Sequence, residues 1–220
     1  MSKTVTAVIK GFDGKRLLIE PTEDITRELM QKSVNDVELR LNDGRSISND
    51  QRRKTFAIIR DIALWSGHDP DEIRAFIEWD FVCKAGIEPF SLSDVDMSTA
   101  KEFINYLIDF CFRWSVPTRD ALLMQTDDIG RYLYQCLEHR RCAVCNAPAD
   151  VHHVDRVGMG RNRDEIIHIG MEAIALCRVH HREAHNREQA FFEKYHIYGI
   201  KLDEYLCNRL RLNTGRSEKQ

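Results

Sequence analysis

Seven of the nine histidines and three of the seven cysteines in this 220-residue chain lie between His139 and His185. They read Cys142-x2-Cys145, His152-His153, His168, and Cys177-x2-His180-His181-x3-His185. Thiolate sulfur and neutral imidazole at short spacing are what a bound metal needs. One tetrahedral zinc takes four ligands, so this stretch holds a surplus. The surplus implies a second, open metal site, where chemistry would take place.

The spacing divides the ligands. Cys142-x2-Cys145 makes one knuckle, and Cys177-x2-His180 supplies the other half of a Cys3His structural zinc site. Little core can be buried between Ala143 and Val179, so a metal staple is expected there. His180 and His181 would lie about 100° apart around a helix and so serve different sites, with His180 facing the cysteines. His181 and His185 are four apart and share one helix face. Taken singly they read as surface histidines. Beside the upstream pair His152-His153 they read as ligands of the second site.

The rest of the composition sets wider bounds. A hydrophobic fraction of 43% is enough to bury a core. A net charge of −3 argues against a globally basic nucleic-acid binder but leaves room for local positive surface. No apolar run is long enough to span a membrane, and none follows Met1 as a signal peptide would. The expected setting is a reducing cytoplasm, where paired cysteines read as metal ligands. Cys83, Cys111, Cys136 and Cys207 fall on helical patterns and read as buried small apolar residues.

The chain reads as α+β. Residues 4–9 and 16–19 are expected strands joined through Gly11-Phe12-Asp13-Gly14. A second strand pair is expected at 37–41 and 45–47, turning at Asn42-Asp43-Gly44, with a short helix or polar loop at 22–31 between the pairs. Helices follow. Ser48 with Gln51 forms a capping-box pattern ahead of Phe56, Ile59, Ile62 and Ala63, and Gly67 stops that helix. Asp69-Pro70 starts a second, carrying Ile73, Phe76, Ile77 and Phe81. Ser98 is read as the cap of a third, with Phe103, Ile104, Leu107, Ile108 and Cys111 inward. A last helix, about 126–139, leads to the metal segment. The division expected is 1–138, a small sheet plus helices, then 139–212, the metal domain, with a frayed tail at 213–220.

The phrases CAVCNAPADVHHVDRVGMGRNR and LCRVHHREAH resemble the HNH endonucleases of phages and prophages. That resemblance covers about residues 142–196. It implies a ββα-metal domain in which a strand hairpin and a helix pinch one divalent metal, with zinc knuckles around it. It implies His152 as a metal ligand, His153 as general base, and His181 and His185 completing the metal set. The metal would be Mg2+, Mn2+, Ni2+ or Zn2+, distinct from the structural Zn2+. Such a site suits phosphodiester hydrolysis, because a neutral imidazole of pKa about 6.5 can take a proton from water. Arg156, Arg161, Arg163 and Arg178 are placed to clamp phosphates, and Gly158-Met159-Gly160 would let a loop approach the nucleic-acid backbone.

Two departures from the family pattern stand out. The middle Asn is missing from residues 170–177. His168 is the first substitute and Asn162 the second. Adjacent His152 and His153 also point to opposite faces of a regular strand, so they can share a site only at a strand end or a break in the pleat. Asp155 is a further candidate ligand or orienter.

Residues 45–118 resemble the NinB-type phage recombination mediators, through Arg45-Ser46-Ile47-Ser48, Gln51-Arg52-Arg53-Lys54 and Phe90-Ser91-Leu92-Ser93. That resemblance implies single-stranded-DNA binding, the host single-strand-binding protein as partner, dimerisation, and a host-cytoplasm setting. Arg45, Arg52, Arg53 and Lys54 would face DNA. Cations at a helix start oppose the macrodipole, which favours an anionic partner. The leading expectation is a metal-dependent HNH endonuclease acting on DNA in phage recombination or processing. The alternative is a non-catalytic, zinc-stapled mediator that binds single-stranded DNA. A zinc-dependent transcription regulator comes third, since no basic recognition helix is evident.

Overall fold

The computed structural model describes residues 5, 7–32, 39, 44–154 and 167–215. It is a mixed α/β structure with two small antiparallel sheets. Strands β1 (Ala7–Phe12) and β2 (Leu17–Pro21) form the first sheet, with a register shift between Ile9 and Gly11. The expected turn at 11–14 moves two residues on. Asp13 Oδ1 accepts hydrogen bonds from Lys15 N and Arg16 N, and Gly14 sits at φ 93°. Helix α1 (Thr26–Lys32) resolves the helix-or-loop choice at 22–31. The expected strand at 37–41 falls almost wholly outside the described residues. Of 45–47, Ser46 makes a single bridge, to Asp96.

Helix α2 (Asn49–Ser66) begins at the expected capping box and ends at Gly67 in the left-handed region. Its inward stripe is Gln51, Thr55, Ile58, Ile59, Ile62 and Ala63. Phe56 lies beside that stripe and is exposed. Helix α3 (Pro70–Ala85) starts at Asp69 and ends at Gly86, burying Ile77, Phe81 and Val82. Phe76 and Cys83, both expected inside, are exposed. Helix α4 (Met97–Trp114) is capped by Asp96 rather than Ser98. Asp96 Oδ1 accepts from both Ser98 N and Thr99 N, satisfying two free donors with one carboxylate. Phe81, Phe90, Phe103 and Tyr106 pack edge-on or tilted between α3 and α4, with ring centroids 5.2–6.0 Å apart.

Helix α5 (Ile129–Glu138) starts three residues later than expected, because Asp128 caps it. Its face of Tyr132, Leu133, Cys136 and Leu137 is fully buried. It packs on α4, on strand β4 (Glu172–Leu176) and on helix α8 (Glu204–Leu210). The second sheet has the order β3 (Asp150–His153), β4, β5 (Ile200–Lys201), all antiparallel. Helices α6 (Arg178–Asn186) and α7 (Glu188–Tyr195) lie between β4 and β5 in the chain. The buried apolar residues form one cluster from Ile47 to Leu210, spanning the helices and the metal segment. No described helix is long and apolar enough to cross a membrane.

Candidate metal centres

The knuckle Cys142–Cys145 is closed by its own backbone. Asn146 N donates to Cys142 O and Cys142 N to Ala147 O, with Asn146 in the left-handed region that Asn tolerates. Ala143 N donates to Ala175 O, tying the knuckle to β4. Two residues later β4 delivers Cys177, and α6 begins. Cys142, Cys145, Cys177 and His180 each offer one ligand atom within 4.8 Å of the others. His180 Nδ1 lies 3.3 Å from the sulfurs of both Cys142 and Cys177, and Cys145 Sγ lies 3.7 Å from Cys177 Sγ. A tetrahedron with Zn–S bonds of about 2.3 Å has S···S edges of roughly 3.8 Å, so the set already has zinc-like dimensions.

The thiols divide by environment. Burial pushes the Cys142 thiol up to about 12. Burial also opposes ionisation of Cys177. There, hydrogen bonds from the backbone of His180 and Val179 and from the neighbouring thiols outweigh it and hold the thiol below its ordinary value.

A second group stands apart. His152, His181 and His185 offer nitrogens within 4.8 Å of one another, with ring centroids 4.7–4.9 Å apart. Three atoms at that maximum spacing have a centre about 2.8 Å from each, against roughly 2.0–2.1 Å for a Zn–N bond, so small rotamer shifts close the site. His152 is buried in β3, His181 is half-buried and His185 is exposed. The site therefore has a closed floor and an open mouth.

His152 Nε2 lies 2.8 Å from Glu188 Oε1 at the first turn of α7. A carboxylate only accepts, so Nε2 carries the proton and Nδ1 keeps the lone pair. That Nδ1 is buried without a hydrogen-bond partner among the described residues, as a ligand nitrogen awaiting a cation would be. Burial and the charges of His152 and His185 hold His181 below the usual histidine range, so it stays neutral and able to coordinate. Glu188 is the partner of this group that sequence reasoning missed. It lies 36 residues from its partner, and no short-range pattern marks it.

The pleat separates the two adjacent histidines as expected. His152 faces α6, while His153, the last residue of β3, lies against His168 at 5.1 Å between ring centroids. His168 is held by its backbone N–H and by Nδ1, both donating to Asn213 O at 2.9 and 3.3 Å. Arg178 opens α6 and is exposed. Arg156, Arg161, Arg163, Asp155, Asn162 and the Gly158-Met159-Gly160 turn lie outside the described residues.

The cations at the start of α2 already have intramolecular partners. Arg52 donates to the carbonyls of Leu92 and Ser93 at 2.9 and 2.6 Å. Arg53 pairs with Asp50, and Lys54 pairs with Asp50 and Asp127. Arg45 is exposed, and its backbone carbonyl accepts from Met97 N.

A hairpin and a helix carrying two separate sets of His and Cys groups present what a metal-binding protein needs. Residues 19–213 match the model of the family described as "Putative HNHc nuclease". The chain belongs to this HNH nuclease family. No curated protein and no solved structure matches it. Membership suggests metal-dependent nuclease activity, with nucleic acid as substrate, and HNH nucleases use divalent metals.

Proposed function

We propose that the chain is an HNH endonuclease that hydrolyses DNA phosphodiester bonds. His152, His181 and His185 would hold the catalytic divalent metal, and His153 would act as general base. The observation that carries this reading is the three-imidazole group at the end of β3, separate from the Cys3His set. A divalent ion there would polarise the scissile phosphate and stabilise charge on the leaving oxygen. Glu188 Oε1 holds the proton on His152 Nε2 and fixes the ring. His153 accepts a proton from the attacking water on its imidazole. His168, anchored to Asn213 O, packs against that ring and restricts its orientation in place of the missing Asn. Arg178, with Arg156, Arg161 and Arg163, would contact phosphates, and Arg45, ahead of α2, would add a contact, whereas Arg52, Arg53 and Lys54 would have to exchange their intramolecular partners to do so.

The division at 138/139 is then one of labour within one core: helices for assembly and DNA contact, and the metal segment for chemistry. A setting in phage recombination, dimerisation and a single-strand-binding-protein partner rest on the sequence resemblance alone.

The test uses zinc-loaded protein with plasmid and branched DNA in Mg2+, Mn2+ or Ni2+. Cleavage is expected, falling about 10²- to 10⁴-fold in His153→Ala with DNA binding retained. Metal analysis should show one tight zinc and one exchangeable ion, the latter lost in His181→Ala. The non-catalytic mediator predicts tight DNA binding, one zinc, no exchangeable ion and no cleavage under any metal.

A further inference from the structure

A second feature lies outside both metal sets. Five arginines, Arg113, Arg140, Arg141, Arg209 and Arg211, line an open cavity of about 560 Å³ together with Ser115, Glu138 and His139. Such a concentration is unexpected on a chain of net charge −3. Three helix C-termini meet here, those of α4, α5 and α8. Each helix end carries about half a negative charge, so structural neutralisation must be counted first.

Some of the arginines serve that purpose. Arg113 pairs with Asp109 at 2.5 Å, Arg140 Nη2 donates to Leu210 O at 2.7 Å, and Arg141 donates to Ser115 Oγ. Asp109 is also bonded to His139, and Glu138 accepts from Tyr205. The three dipoles with Asp109 and Glu138 balance about three and a half of the five charges. The side chains of Arg209 and Arg211 are exposed and make no hydrogen bond or ion pair among the described residues, although the Arg211 backbone N–H closes α8 on Asn208 O. Asp109, Glu138 and His139 also lie within 4.8 Å of one another, but Asp109 is already bonded to Arg113 and His139 and Glu138 to Tyr205, whereas the two free guanidinium groups face the cavity.

The helix ends support this. Helices α2 and α3 close with Gly67 and Gly86 in the left-handed region, where glycine carries no Cβ penalty. Helices α4 and α8 close with Ser115 at φ 56° and Arg211 at φ 59°, and Arg140 follows α5 at φ 51°. These are three of the five described non-glycine residues at positive φ, and all three line the cavity. The chain accepts backbone strain at these positions and keeps side chains in the cavity.

We infer that this arginine cavity is a phosphate-binding site for the nucleic-acid backbone, distinct from the histidine centre. Choosing nucleic acid over a free phosphate rests on membership of the nuclease family. Guanidinium forks match phosphate oxygens bidentately, and the cavity volume suits a phosphodiester segment.

The test compares zinc-loaded wild type with the Arg209→Gln/Arg211→Gln double variant, without added second metal. Binding of a labelled duplex is measured by anisotropy across a salt series. Each lost phosphate contact lowers the log–log salt slope by about 0.9, so a fall of roughly 1 to 2 is expected, with weaker binding. The Arg209→Lys/Arg211→Lys variant should recover the slope. Zinc content and the unfolding midpoint report that each variant is folded. An unchanged slope in a folded variant overturns the inference. So does a site that takes inorganic phosphate at constant ionic strength while duplex binding is unaffected by the variants. Cleavage with an unchanged slope rejects the cavity and leaves the nuclease reading intact. A lowered slope in a protein that never cleaves does the reverse.

Discussion

Glu188 bonds the buried ring of the proposed histidine centre without offering it a ligand. Its carboxylate fixes the His152 tautomer, so Glu188→Gln should weaken Mn2+ or Ni2+ binding about ten-fold or more while leaving the zinc content unchanged. Calorimetric titration of zinc-loaded protein checks this, and equal affinity would remove Glu188 from the centre. His181 makes the pH dependence specific. Its pKa is depressed in the folded protein, so as pH falls the unfolded chain takes the proton first. The stability tied to His181 is present above about pH 6.5 and is lost as pH falls towards its lower folded value. Protons compete with metal for the same nitrogens, so affinity at the centre should fall about ten-fold or more from pH 7.5 to 5.5. An affinity flat across that range would contradict the imidazole assignment. That the two Cys/His groups cluster could be anticipated because helix phase and knuckle spacing are local and the resemblance supplied the His152 pairing. Glu188 could not, because its meeting with His152 depends on where α7 lies after the chain has turned.

At the scale of elements, local signals carried far when they stood alone and failed when two competed. Ser48-x2-Gln51 had no rival and capped α2 as expected. Asp96 and Ser98 are both good caps, and the carboxylate, which reaches two N–H groups, prevailed. Asp96→Ala should therefore cost about 1 kcal/mol in urea unfolding, and Ser98→Ala much less. The opposite order would restore Ser98 as the cap. Phe56 misled because the buried stripe of α2 includes the polar Gln51 and Thr55, which hydrophobic periodicity passes over. The sheet that carries His152 has its own constraint. A Cβ at Gly199 would meet Val154 Cγ2 at 2.7 Å and Glu172 Cβ at 3.1 Å. Gly199→Ala should destabilise the protein by about 1–3 kcal/mol, read from the thermal midpoint. An unchanged midpoint would mean that the end of β3 can yield.

Across the whole molecule, α5 joins the helical layer to the metal layer. Tyr132 Oη donates to Ala143 O in the Cys142–Cys145 knuckle and accepts from Asn146, while Gln135 donates to Asn105 O on α4. Removing zinc with a strong chelator should lower the thermal midpoint of one cooperative transition. Two transitions, with the earlier helices unmoved, would show that the two parts unfold independently. Composition and periodicity indicated α+β and the helices up to α5. They did not indicate α7, β5 or α8, whose short amphipathic runs acquire meaning only against β4 and α5. The buried surface shared by these parts also bears on how such a gene can change. A transplanted copy of the histidine-bearing segment alone would arrive without the wall it rests on, and its apolar side would face water. The portable unit is therefore the whole stretch that shares this core, from Ile47 to Leu210, and not the metal segment by itself.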